Sequence, residues 1–292
     1  MNTGYEGQLG DERLDRYHED AEHARQLGWW HQPSGRALRD AGRVGAIVQK
    51  ALSATARCRW NEVENALERL EHEELRPAAQ IAIRAIYAQA RGDEAAAEGL
   101  CRQLHSVPVS TNADSEVWAS GVIAASLHGY LGGTVDDSSE PVALVRQMCA
   151  RFGALHLETT QFMCLSLALL ARAGGSPVLA SFLLGHLTET AGPPRVSAAV
   201  RAATACCIIA LGDERTGSRL LLELLDGNEA ARMPLVTGLA GAEMARIELE
   251  HGDRSAAAHW IDRTRRFAQR YHSQLPVQVI GRVRTELPGA DG

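Results

Sequence analysis

The stretch IAIRAIYAQARGDEAAAEGLCRQL, residues 81–104, carries apolar positions at helical spacing on both sides of one glycine-aspartate pair. Ile83, Ile86, Tyr87 and Ala90 fall on one side of a first helix, and Ala97, Leu100, Cys101 and Leu104 stripe a second. Gly92 and Asp93 stand between them. Glycine adopts the left-handed conformation that ends a helix, and an aspartate side chain accepts the free backbone N–H groups at the start of the next one. The pattern therefore predicts a helical hairpin. AATACCIIALGDERTGSRLLLELL repeats it around Gly212-Asp213, and LEHGDRSAAA repeats its turn around Gly252-Asp253.

Turns of this kind interrupt helical patterns at Cys58-Arg59, Gly92-Asp93, Gly132-Gly133, Gly174-Gly175, Gly212-Asp213 and Gly252-Asp253, at separations of 34, 40, 42, 38 and 40 residues. Regular spacing on this scale is the mark of a repeat architecture. Proline and polar clusters place the loops between hairpins at Arg76-Pro77, Val107 to Asp114, Ala191 to Pro194 and Asn228 to Pro234. The third hairpin is irregular, because GGTVDDSSEPVALV inserts acidic and serine residues where it turns.

Small residues recur at fixed places around these turns. Ala85, Ala97 and Cys101 surround Gly92; Ala245, Ala257 and Ile261 surround Gly252; Ala168, Ala180 and Leu184 surround Gly175; Ala205, Gly217 and Leu221 surround Gly212. Ala51 and Leu67 do so for Cys58. In this the chain resembles the tetratricopeptide repeat in a degenerate form, similar to the helical arrays attached to bacterial regulators, over roughly residues 43 to 270. The family's usual repeat is 34 residues, and its large aromatic near the start of the first helix is missing here. The resemblance implies an all-α, right-handed superhelical array of about six antiparallel hairpins in residues 43–273. Residues 1–42 are then a capping helix with a tryptophan-containing loop, and residues 274–292 a short loose tail.

Such arrays bind proteins or peptides along a concave face lined by the first helix of each pair. Carried onto this chain, the groove positions are Ile86, Gln89, Phe162, Leu169, Arg172, Cys206, Arg246 and Leu249, joined by Val48, Leu52, Ala82, Leu165 and Ala202. The set is apolar for a groove. Exposed, it suits a hydrophobic peptide or an amphipathic helix; in an array closed on itself it is core, or the wall of an apolar interior holding a small hydrophobic ligand. Trp29 and Trp30 end the N-terminal helix and either anchor a cap or dock a partner or a second copy.

Composition narrows the function classes. A net charge of −6 and a pI near 6.0 give no overall basic footprint, so direct nucleic-acid binding is not expected. The local exception is DRTRRFAQRYH, where Arg263, Arg265, Arg266 and Arg270 alternate with Phe267 and Tyr271. Lys50 is the only lysine. The acidic N-terminal stretch has no apolar core, and the apolar run from Phe162 to Ala171 is too short for a membrane span of about 20 residues. A cytoplasmic protein is the expectation, and the six cysteines, scattered through apolar helices without framework spacing, agree with it.

Catalytic motifs are sparse. His18 and His23 in HEDAEH are five apart, and a helix needs four to put two ligands on one face. Cys206 and Cys207 are adjacent and point in different directions, and Ser126 and His128 face apart. No nucleophile elbow, phosphate loop or dinucleotide fingerprint is present. No cofactor or metal is expected. The sequence reads as a non-enzymatic scaffold or regulator that binds a protein or peptide.

Overall fold

The structure, a computed structural model, describes residues 43–71, 77–106, 115–132, 155–190, 197–227 and 233–286, and among them every regular element is a helix. In chain order these are α1 (Arg43–Ala56), α2 (Trp60–Glu71), α3 (Pro77–Arg91), α4 (Glu94–Ser106), α5 (Ser115–Tyr130) and α6 (Leu157–Gly174). They continue as α7 (Pro177–Thr190), α8 (Ala198–Ala210), α9 (Glu214–Asp226), α10 (Pro234–Glu250), α11 (Arg254–Tyr271) and α12 (Leu275–Glu286). The capping helix expected in residues 1–42 lies outside the described residues.

All six repeat turns carry one residue with positive φ: Cys58 at 53°, Gly92 at 85°, Gly132 at 80°, Gly175 at 60°, Gly212 at 98° and Gly252 at 76°. The aspartates act as read from the sequence. Asp93 Oδ1 accepts from the Ala96 N–H at 3.0 Å, Asp213 Oδ1 from Thr216 at 3.1 Å and Asp253 Oδ1 from Ala256 at 2.9 Å. Five hairpins are complete among the described residues: α1–α2, α3–α4, α6–α7, α8–α9 and α10–α11. Residues 133–154, which follow α5 and its turn, lie outside them.

Helix α6 has no side-chain cap of its own at His156. The carboxylate of Glu116, in the first turn of α5, takes that place, accepting from the His156 N–H and the Thr159 hydroxyl, both at 2.6 Å. Anions are favoured at a helix N-terminus, so α5 and α6 start at the same end and run side by side.

The first helices of the pairs, α1, α3, α5, α6, α8 and α10, touch one another in that order, and α10 returns to touch α1. Helix α1 also reaches α5 and α6, so it fills the middle of the layer. Its residues Ile47, Val48, Ala51, Leu52 and Ala54 are buried.

Of residues 274–292, expected from the sequence as a loose tail, 287–292 lie outside the described residues and most of the rest is helical. Leu275–Glu286 is helix α12, packed against α10, α11 and α3 through buried Leu275, Val279, Ile280 and Val283. Pro276 suggests a break, but it occupies the second helical position, where a missing N–H costs nothing. The turn before α12, with His272 at φ 52°, docks on the ends of α2 and α3. Gln274 N–H donates to Ala90 O at 2.8 Å, Arg91 to His272 O at 3.0 Å and Trp60 Nε1 to Tyr271 O at 2.6 Å. The last hairpin thus closes on the first two.

The small-residue positions are where backbones approach. A Cβ on Gly217 of α9 would stand 2.3 Å from Ile209 Cγ1 and 2.8 Å from Ala205 O of α8. Gly99 of α4, by contrast, meets nothing within 4 Å. Alanine is favoured over glycine in a helix by about 1 kcal/mol, while overpacking costs about 1–3 kcal/mol. Gly217→Ala should therefore lower the urea midpoint and Gly99→Ala raise it, and a stabilised Gly217→Ala protein would contradict the packing described.

Candidate functional site

The groove positions read from the sequence lie inside the molecule. Ile86, Phe162, Leu169 and Cys206 are buried, as are Val48, Leu52, Ala82, Leu165 and Ala202, and the space they face is filled by α1 and by one another. Gln89 is buried as well. Leu249, Arg172 and Arg246 are half-buried at one end of the inner layer. Trp29, Trp30, His18 and His23 lie outside the described residues. Among the described residues these positions therefore form no free apolar concave face.

At that end the structure assembles an ionic network from three helices. Glu243 of α10, 0% exposed, accepts a short hydrogen bond from the Tyr130 hydroxyl at the end of α5. Arg172 Nε, from the last turn of α6, stands 3.9 Å from Glu243 Oε2, and the same guanidinium pairs closely with Glu250. Arg246 Nε donates to Glu250 Oε1 at 2.9 Å across one turn of α10. Two carboxylates thus meet two guanidinium groups whose side chains are only 14% and 13% exposed. Sequence reading found both arginines and Cys206, which lies beside Glu243, but missed Glu243, Glu250 and Tyr130. A lone glutamate in PLVTGLAGAEMARI was the available signal, since a charge in a helix buried on every side must have a partner.

The phenol and the thiol that border the carboxylate are held in their protonated forms. Burial and the Glu243 carboxylate push the Tyr130 phenol well above its ordinary value. Burial, reinforced by Glu243, does the same to the Cys206 thiol. For Arg246 burial opposes the charge, but Glu243, Tyr130 and Glu250 outweigh it and hold the guanidinium above its usual range. The other described thiols are also suppressed by burial: Cys58 and Cys164 to about 12, Cys101 to about 11, and Cys207 further.

A second arrangement lies on the outside, where α10 and α11 meet. Arg263, Arg266 and Arg270, with the Phe267 and Tyr271 rings, line a groove of about 370 Å³ together with Thr237, Gly238 and Gly241 of α10. The two glycines let α11 approach. A Cβ on Gly238 would come within 2.4 Å of the Phe267 ring, and one on Gly241 within 3.0 Å of Thr264 Oγ1. Thr264 is 1% exposed and its hydroxyl has no hydrogen-bond partner. Arg263 donates to Leu225 O at 2.9 Å and lies over the Trp260 ring, while Arg270 lies over Tyr271, whose ring stacks at 4.9 Å on Phe267. Among the described residues no carboxylate is within ion-pairing distance of Arg263, Arg266 or Arg270.

Removing one partner of a buried pair strands the others, at about 3–5 kcal/mol. Glu243→Leu should lose that much in chemical denaturation, whereas Arg219→Ala, which breaks an exposed pair with Glu223, should lose under about 1 kcal/mol. Equal losses would contradict the network. Iodoacetamide at pH 8 should leave Cys58, Cys101, Cys164, Cys206 and Cys207 unmodified in the native protein and label all five after denaturation, as read by peptide mass mapping.

Comparison of the chain with protein-family models, with curated proteins and with solved structures finds no match.

Proposed function

We propose that the chain is a non-enzymatic, cytoplasmic regulatory protein, a degenerate tetratricopeptide-like array whose hairpins follow a right-handed superhelical path, and that it binds an acidic peptide segment of another protein. The observation that carries this reading is the groove between α10 and α11: three arginines without carboxylate partners among the described residues, beside two stacked rings and an unpaired hydroxyl. Guanidinium groups bind carboxylates bidentately, and neighbouring rings supply apolar area at low entropy cost. Helix α1 fills the concave face, so the binding surface moves to this outer groove.

The partner's acidity follows from charge. The chain as a whole is at −6, so a basic groove on it selects a negatively charged segment by local field and repels it elsewhere. The stripe is one helix-length of arginine and aromatic side chains, which suits an extended or helical peptide better than a duplex, whose phosphates require a broader basic surface.

Fluorescence anisotropy with labelled Asp/Glu-rich and Lys-rich peptides tests the proposal. The acidic peptide should bind the full chain, weaken about tenfold or more between low and physiological salt, and be lost on Arg266→Glu with Arg270→Glu, both exposed positions whose exchange leaves the melting temperature unchanged. Binding of the Lys-rich peptide with equal strength, an unaffected double variant, or tighter binding of a DNA duplex would overturn it.

A further inference from the structure

The groove between α10 and α11 presents its charge at a fixed spacing. Arg263, Arg266 and Arg270 follow one another at three and four residues on α11, which sets them along one face of the helix over about 10 Å. Arg263 is engaged by Leu225 O and the Trp260 ring. Arg266 and Arg270 are exposed, with no carboxylate in ion-pairing distance among the described residues. Carboxylates at the same period on another segment would meet them in register.

The chain itself carries that pattern. DERLDRYHEDAE, residues 11–22, holds six carboxylates and two arginines, and so −4 of the chain's formal −6. Glu12, Asp15, Glu19 and Glu22 follow one another at three, four and three residues, so at helical spacing they make one acidic stripe. The stripe matches the arginine spacing in either direction along α11. The longest other segment outside the described residues, 133–154, sets only Asp136, Asp137 and Glu140 against Arg146 and Arg151, and is tied at both ends to α5 and α6.

The connection to the fold is long enough. Residues 23–42 join this segment to α1 and span up to about 70 Å. Helix α1 packs directly on α10, and just past its far end Cys58 lies against the Leu235 backbone, next to Pro234 at the edge of the groove. From Arg43 the groove is thus the length of α1 and the width of two helices away, about 40 Å.

We infer that residues 11–22 dock in the α10–α11 groove of their own chain, with the acidic stripe laid along Arg266 and Arg270. This rests on the reading of the groove as a surface for acidic segments, and it names the resident one. Tethered in this way the segment acts at an effective concentration on the order of millimolar. An acidic segment of another protein therefore binds by displacing it.

The experiment places a nitroxide on the full chain at His18→Cys, with Cys149→Ser, substitutions that leave every carboxylate in place. In an isotope-labelled chain the nitroxide should remove the amide signals of Phe267, Ala268 and Tyr271, relative to the label reduced with ascorbate. Arg266→Glu with Arg270→Glu should restore them, as should high salt. Anisotropy should show the labelled Asp/Glu-rich peptide binding about tenfold tighter to a chain with Glu12→Gln, Asp15→Asn, Glu19→Gln and Glu22→Gln than to the unaltered chain. Intact signals at α11, loss that survives reversal of both arginines, or measurable but equal peptide affinity for the two chains overturns the inference. So does loss that arises only between copies, in a mixture of isotope-labelled chain and separate nitroxide-bearing chain. Loss at α11 within one chain, with no peptide bound to either form, upholds the docked segment and refutes the outside partner, so the two readings fail separately.

Discussion

Burial of the broad apolar face of α1 against five other helices is the constraint on which the rest of the structure depends. Val44, Ile47, Val48, Ala51, Leu52 and Ala54 are all buried, and the buried Thr55 turns its hydroxyl back onto Ala51 O at 2.9 Å, while Ala46 and Lys50 face solvent. An apolar face this broad needs several neighbours to cover it. It finds them in α2, α3, α5, α6 and α10, which come from four different parts of the chain. Each buried leucine, isoleucine or valine contributes about 1.5–3 kcal/mol relative to exposure, so α1 supplies far more driving force for closure than the polar contacts at the seam. The hydrogen bonds from residues 271–278 to α2, α3 and Glu94 then fix where the ring meets.

The ionic network serves a different end. Taking two carboxylates and two guanidinium groups out of water offsets most of what their attraction contributes, so the cluster adds little net stability over apolar packing of the same volume. What it contributes is register. The ends of α5, α6 and α10 can slide or rotate past one another on apolar contacts alone, but only one alignment brings Tyr130, Arg172 and Arg246 to Glu243 and Glu250. Any other leaves a fully buried carboxylate unpaired. Arg172→Glu would for this reason put a third carboxylate into the cluster, so reversal of these arginines reports on the fold before it reports on a partner.

Much of the local structure was legible in the sequence because it is set by local chemistry. The turn at Gly92 needs a left-handed residue followed by a cap, and both are written as adjacent letters; the same holds at Gly212 and Gly252. Periodicity likewise marked Ala97, Cys101 and Leu104 as one buried stripe. It reports that a face is buried but not what buries it. Ile86, Phe162 and Leu169 read equally well as the lining of an open groove or as core, and only the long-range return of α10 to α1 and of α12 to α3 separates the two. Glu243 was hidden for the same reason: α10 is buried on both faces and has no polar side against which its one inward carboxylate would stand out.

Closure also changes how the last three helices relate to the rest. In an open array each repeat touches only its neighbours, so the terminal pair is the least supported and stability is a sum of local terms. Here the terminal segment holds the inner carboxylates on α10, the basic groove between α10 and α11, and the seam from Tyr271 to Gln278. Loosening α10 exposes α1, and exposing α1 removes a neighbour from α3, α5 and α6 at once. The groove glycines tighten this coupling further, because Gly238 and Gly241 let the Phe267 ring and the Thr264 side chain of α11 seat directly on the α10 backbone. A contact made on the arginine face of α11 is therefore borne by the same helix that carries Glu243 on its other side.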